Sequence, residues 1–353
     1  MPSTPHTAFV KSAAATTAAK SSQKSDIAMP TVVVDAMGGD HAPLEVVRGA
    51  VDAASDGVDV LLVGDQDQIA PVLERFDADL PVVHASEVVE MGEDPARAVR
   101  DKKDASIMVA ARLVKDGEAQ ALVSAGSTGA ALAASAFVIG RLPGVSRPAI
   151  ASVFPTREVV LDVGANIEVG PQQLAQFGVM GYAVAEVFLE IEDPRVGLLN
   201  IGEEVGKGRD LEQAAYALLA TASGLNFVGN VEGRDLGRDR ADVFVTDGFT
   251  GNVLLKTGEG TSRALFRVLM EFLQADEYQS ALAELMPAFM KLRQHIDPET
   301  IGGAHLVGTR GVVVIAHGAS SHRAVANAIA MAAEGAGHGL VDLVADGIGR
   351  NAT

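Results

Sequence analysis

The chain has 353 residues, a formal net charge of −18, 48% hydrophobic and 4% aromatic residues, and no cysteine. That length allows one large or two ordinary domains, and the missing cysteines exclude disulfides, thiolate zinc sites and cysteine acyl-enzymes. The acidic balance argues against non-specific nucleic-acid binding, which needs clustered Lys and Arg to neutralise phosphate. The composition fits a cytoplasmic α/β enzyme rich in Ala, Val, Leu and Gly, and no apolar run reaches the roughly 18 residues of a membrane span.

Residues 1–30 are rich in Ala, Ser, Thr and Lys and carry no apolar period, so a disordered tail is expected there. From Thr31 onward, short Val/Leu/Ile runs alternate with amphipathic stretches. The runs predict strands at Thr31–Asp35, Val58–Val63, Pro81–His84, Gln120–Ser124, Ala149–Val153, Val159–Val163, Arg195–Ile201, Asn226–Val231, Ala241–Thr246 and Gly311–Ala316. Most are continuously apolar, as strands covered on both faces must be. Leu44, Val47, Val51 and Ala54, three or four apart, typify the helices between them. The alternation predicts βαβ units and a doubly wound, mostly parallel sheet with helices on both sides. Ser262–Arg293 is long, helical and strandless, and reads as an inserted helical pair, about 262–297, broken near Pro287.

In such sheets ligands collect beyond the carboxyl ends of the strands. The loops there are rich in small residues and each precedes a helix, an arrangement that offers backbone N–H groups to an anion. Converging at one sheet edge, they point to a phosphate-like ligand. The first loop, Asp35-Ala-Met-Gly-Gly-Asp-His-Ala-Pro43, allows a metal site, a phosphate cradle or a helix-starting turn. Met37 is a poor neighbour for Mg²⁺ and no further carboxylate is near in sequence, so the turn is favoured. Gly38 and Gly39 then make the exit, Asp40 or His41 caps, and Pro43 sits in the first helical turn. In Ser124-Ala-Gly-Ser-Thr-Gly-Ala130, the residues Gly126, Ser127 and Thr128 form either an anion loop or an ordinary helix cap; Ala125 rules out a nucleophile elbow.

Gly202–Gly208 imitates a phosphate-binding P-loop but is one residue short and carries two glutamates, and no strand leads into a dinucleotide fingerprint. Asp162–Asn166 and Thr246–Asn252 put carboxylates and amides at strand ends, as Asx turns or as ligand donors through Asn166 and Asn252. Asp247 and Gly248 belong to the second of these, and Lys256 lies one helical turn beyond Asn252. His317, following the last strand, is placed for an acid/base role or a structural one. No His-Glu-x-x-His spacing exists, so no catalytic zinc is expected. Arg97, Arg100, Lys102 and Lys103 form the densest basic run, either a solvated face or a dock for an acidic partner.

Seven of these stretches, in order and at matching spacing, resemble the bacterial phosphate acyltransferases of phospholipid synthesis. They are Asp35–Pro43, Ser124–Ala130, Asp162–Asn166, Pro194–Gly202, Asp247–Asn252, Leu255–Thr257 and Ala316–Gly318. The resemblance covers residues 31–350. It implies a three-layer αβα fold shared with isopropylmalate dehydrogenases and phosphotransacetylases, and a cytosolic homodimer in peripheral contact with the membrane. The implied reaction is attack of inorganic phosphate on a long-chain acyl–acyl carrier protein, giving acyl phosphate for glycerol-3-phosphate acylation without a cofactor.

By the same resemblance His317, Lys256 and Asn252 serve catalysis. Asp35, Gly38, Gly39, His41, Gly126, Ser127, Thr128, Asn166, Asp247 and Gly248 line the phosphate and acyl site. Arg97, Arg100, Lys102 and Lys103 would dock the acidic carrier protein. Leu282, Leu285, Phe289 and Leu292 form one stripe of the helical pair, a membrane or dimer face by analogy and a buried face by ordinary core spacing. Two positions depart from the family pattern: Ser127 stands where asparagine is common, and Ile315 where lysine is usual. The alternatives are a phosphotransacetylase-like enzyme using coenzyme A thioesters, a nicotinamide-dependent dehydrogenase of related fold, and a non-catalytic membrane-surface scaffold.

Overall fold

A computed structural model of the chain describes residues 29–351, and in it the apolar runs join in one sheet of eleven strands. In chain order these are β1 (Thr31–Asp35), β2 (Asp59–Gly64), β3 (Val82–His84), β4 (Ala121–Ser124), β5 (Ala149–Val153), β6 (Val159–Leu161), β7 (Arg195–Leu199), β8 (Asn226–Val231), β9 (Val243–Val245), β10 (Ala304–Val307) and β11 (Val312–Ile315). Across the sheet the order is β3-β2-β1-β4-β11-β10-β5-β6-β9-β7-β8. Seven of the ten neighbouring pairs are parallel. The expected tail, residues 1–30, lies outside the described residues except for Met29 and Pro30.

Alternate residues of each strand feed two apolar cores, one on each face. Val32, Val34, Leu62 and Val123 pack with helices Leu44–Ser55, Pro171–Phe188 and His322–Gly337 on one side. Val33, Leu122, Phe244 and Val313 pack with helices Ser106–Lys115 and Thr128–Ala134 on the other. This is the three-layer arrangement, with the sheet hidden in the middle.

The sheet consists of two parallel blocks. β3, β2, β1, β4 and β11 run one way, while β6, β9, β7 and β8 run the opposite way. Between them β10 and β5 are each antiparallel to both neighbours, and the three reversals invert the second block. The strand-end loops therefore divide between two opposite edges of the sheet, and the expectation that they converge at one edge does not hold.

Other local expectations change as well. The helix after β1 begins at Leu44 with Pro43 as its N-cap, and no side chain caps it; the Asp40 N–H instead reaches Gly318 O at 2.8 Å. The helical pair is longer than predicted, Gly248–Phe272 and Gln279–Ile296. The second helix runs on through Pro287, and the break falls at Leu273–Tyr278. No residue of Gln279–Ile296 is buried, so the pair projects from the body and its stripe is not a core face within this chain.

Candidate active site

β1 leads into a helix on one face of the sheet, and its neighbour β4 leads into a helix on the other. Such a divergence opens a crevice at the strand ends. The two loops close on each other there. A Cβ at Gly38 would stand 2.6 Å from Asp35 Oδ2 and 2.8 Å from Gly126 N, so only glycine lets these backbones meet. Beneath them Ser124 Oγ donates to Asp35 Oδ2 at 2.7 Å and accepts from Gly126 N at 3.1 Å. Asp35 is fully buried, and its Oδ1 has no partner in hydrogen-bonding geometry. Burial raises its pKa, against the pull of the Ser106 and Ser124 hydroxyls and the N–H groups of Met37 and Gly38.

The loop's outer rim carries the available donors. Ser127 Oγ accepts from Ala130 N at 3.4 Å as a helix cap, while the N–H groups of Ser127, Thr128 and Gly129 meet no protein acceptor. The cap reading of the Ser124–Ala130 motif is what the structure shows, and three N–H groups of the loop are left without a protein acceptor. His317 follows β11 at the same edge, and its Nδ1 accepts from Ala319 N at 3.2 Å. That bond leaves the ring proton on Nε2, on an exposed side chain able to donate. His41 is exposed beside Gly39, and Gly39 has a φ of 126°, which a side chain would strain.

The opposite edge is built differently. Asp162, fully buried, accepts from the N–H groups of Ile150, Gly164, Ala165 and Asn166 and from Asn166 Nδ2, at 2.7 to 3.1 Å. Burial raises its pKa while those donors oppose the shift. Asn166 spends its amide on Pro148 O at 2.8 Å and on Asp162, so the group expected to reach a ligand braces the loop. Gly248 N donates to Asn166 O, and a Cβ at Gly248 would stand 2.7 Å from that oxygen. Asp247 caps its helix through Thr250 N at 2.8 Å and accepts from Arg209 Nη2 at 2.9 Å. Despite burial, the Thr250 N–H and the guanidinium hold its carboxyl below the ordinary value. Asn252 is exposed beside Gly164.

Helix Gly248–Phe272 connects the two edges. It starts against Asp162, and three turns later Gly258 packs on Phe154, just beyond β5. The strand registers set Phe154 about level with His317, two strand spacings (about 10 Å) away. The helix thus runs from the second edge toward the level of the first, and Lys256, two residues before Gly258, pairs with Glu259 at 3.1 Å; Asn252 remains near the second edge. The segment before helix Ser106–Lys115 overhangs the first edge: Pro95 abuts Gly129, and Met91 abuts Gly318. Its basic run is largely compensated, with Arg97 and Arg100 each 3.3 Å from Asp101 and Lys102 paired with Glu93.

Residues 30–342 match the family described as fatty acid synthesis protein. The phosphate acyltransferase of Pelotomaculum thermopropionicum is 50% identical over 312 residues, covering 86% of this chain and 90% of its own length. That of Desulforamulus reducens is 47% identical over 326 residues, covering 91% and 98%. The chain belongs to the phosphate acyltransferase family. It is an acyltransferase. Solved structures of the same fold include a phosphotransacetylase from Streptococcus pyogenes, with a TM-score of 0.59 at 19% identity over 88% of this chain and 94% of that one. Another is a branched-chain phosphotransacylase from Enterococcus faecalis V583, with a TM-score of 0.53 at 17% identity over 87% and 99%.

Within this acyltransferase fold Ile315 is buried among apolar side chains of the second core. One participant escaped the sequence reading. Arg209 bridges Glu212 and Asp247, and only the pairing of β7 with β9 brings it near a residue 38 positions away. No single described helix is long and apolar enough to cross a membrane; helices His322–Gly337 and Leu340–Arg350, a pair bent by 54° that reaches that length and apolarity only together, line the core.

Proposed function

We propose that this chain transfers a long-chain acyl group from the thioester of acyl carrier protein to inorganic phosphate, releasing acyl phosphate and the free carrier thiol. The observation that carries this reading is the first edge, where three unspent N–H groups and an exposed histidine with its proton on Nε2 share one rim, toward which the helix bearing Lys256 runs. Phosphate is already anionic near neutrality, so it needs positioning more than deprotonation. The N–H groups of Ser127, Thr128 and Gly129 supply neutral donors for an anion, and Lys256 a positive charge.

In the reaction a phosphate oxygen bonds to the thioester carbonyl carbon, and the oxyanion formed is held by N–H donors. Collapse breaks the carbon–sulfur bond. The thiolate, whose conjugate thiol has a pKa of about 8.5 by analogy with cysteine, takes up the proton that the attacking hydrogen phosphate gives up, while the Nε2–H of His317 donates a hydrogen bond to the departing sulfur. Asp35 does not touch substrate; through Ser124 it fixes the Gly126 peptide. The carrier approaches over the Met91–Lys103 overhang, where Arg97 and Arg100 remain largely exposed. The projecting helical pair carries exposed Leu265, Phe272, Leu285 and Leu292, a surface for membrane contact or for a second copy in a homodimer.

Incubation with an acyl-carrier thioester, with and without phosphate, tests the assignment. Thiol release that requires phosphate is expected. Release from coenzyme A thioesters alone would replace the donor, and no release from either would leave a scaffold. Vesicle co-sedimentation tests the helical pair: Phe289→Glu should bind less, and equal binding by a folded variant would remove membrane contact.

A further inference from the structure

A cavity of about 690 Å³ opens at the far end of β4 and β11, away from the acyl-transfer loops. Its volume is in the range of small-molecule sites. One wall is the end of helix Ser106–Lys115, and another is a π-helical turn, Ser135–Ile139, of a kind found often at functional sites. Val114, Ile139, Leu142 and Val145 give it an apolar floor. Three cations stand at its rim: Lys115, Arg141 and Arg310.

Two of those cations are fixed in place. Arg310 N donates to Gly140 O at 2.9 Å, Leu142 N to Gly308 O at 3.0 Å, and Arg310 Nε to Arg141 O at 3.2 Å. Thus the segment carrying Arg141 is laced to the β10–β11 turn carrying Arg310. Like charges on neighbouring backbones repel, yet no carboxylate among the described residues pairs with any of the three. From Ala119 to Arg157 the sequence has no Asp or Glu, in a chain of net charge −18. A concentration of unpaired positive charge over an apolar floor is complementary to an anion with an apolar body.

We propose that this cavity is a second ligand site, taking a small phosphate ester that carries an apolar substituent. The phosphate sits between Arg141 and Arg310; Arg141 Nη1 donates to Ser146 O and Arg310 Nε to Arg141 O, which leaves the other guanidinium N–H groups for its oxygens, with Lys115 as a third charge. The substituent lies on Val114, Ile139, Leu142 and Val145. The site is separate from the acyl-transfer edge and does not depend on the reaction proposed there.

Calorimetric titration of the full chain with hexyl phosphate and with inorganic phosphate tests this. The site should bind hexyl phosphate about tenfold or more tighter than inorganic phosphate, since each buried methylene adds to affinity. Hexyl phosphate also resembles the acyl phosphate assigned to the first edge, so two binding events are expected, of which Arg141→Gln/Arg310→Gln should remove one and leave the other, with turnover at saturating substrate within about twofold of wild type. Lys115→Gln, which lies outside the laced turn, should weaken the same binding about threefold or more at an unchanged melting temperature. Unaltered hexyl phosphate binding in both variants would overturn the site. Equal affinity for the two probes in wild type would overturn the ester assignment.

Discussion

The two edges of the sheet carry similar motifs, glycine with a carboxylate and a small polar residue after a strand, and use them in opposite ways. At the Asp35–Gly126 edge the buried carboxyl keeps one oxygen unpaired, and three N–H groups of the neighbouring loop are unspent. At the Asp162–Asn166 edge the carboxylate collects five hydrogen bonds and the amide is spent on Pro148 and Asp162. The first arrangement leaves donors for a ligand. The second closes a loop on itself and anchors the helix that carries Lys256 toward the first edge. A strand-end motif is therefore assigned by where its hydrogen bonds go.

Substitutions can break this contrast, and the largest effect is expected at the closed edge. Asp162→Ala orphans five donors and should cost about 3 kcal/mol or more of stability, while kcat of the folded fraction falls far less than in Gly38→Ala; chemical unfolding with parallel kinetics checks both. Gly38→Ala should act on catalysis, lowering kcat about a hundredfold by pushing the two loops apart. Steady-state assay with a melting curve separates that from unfolding, and a loss of stability alone would blur the distinction between the edges.

His305 tests the strand that joins the blocks. It is buried in β10 with neither ring nitrogen paired, stacked 4.2 Å from Phe188, and burial lowers its pKa from 6.5 to about 3. Folding therefore disfavours its protonation. Stability from this group is intact above about pH 6.5 and falls as pH drops toward 3, because only the unfolded chain takes up the proton. The loss should be about 2 kcal/mol by pH 5. Unfolding of His305→Leu across pH 4–7 should lack that slope. Smaller again is His317→Gln, with an expected fall in kcat of about tenfold, since a thiolate leaves readily. The smallest is Lys102→Glu/Lys103→Glu, which should raise the carrier KM about threefold with kcat intact, because Glu93 already compensates Lys102.

The sequence announces ten of the eleven strands, because continuous Val/Leu/Ile runs have few other uses in a buried sheet. It does not announce β10, four residues with a histidine in the middle, following Gly302 and Gly303. That omission matters: β10 contributes two of the three antiparallel pairs, and without it both blocks are read as one parallel sheet with a single ligand edge. The places of Gly38, Gly126 and His317 at one edge of the sheet are legible because short loops fix them beyond strand ends. Asn166 is misread for the converse reason: an amide's spare capacity depends on Pro148, whose carbonyl comes from a loop 18 residues earlier. Charge runs mislead similarly, since Lys102 has its counter-ion nine residues back across a turn.

Hydrogen exchange with and without saturating phosphate tests the contrast between the edges most directly. Added phosphate is predicted to slow exchange at the amides of Ser127, Thr128 and Gly129 and to leave Gly164, Ala165 and Asn166 as they were, already bonded and slow. Protection at Gly164–Asn166, with Ser127–Gly129 unchanged, would contradict the account.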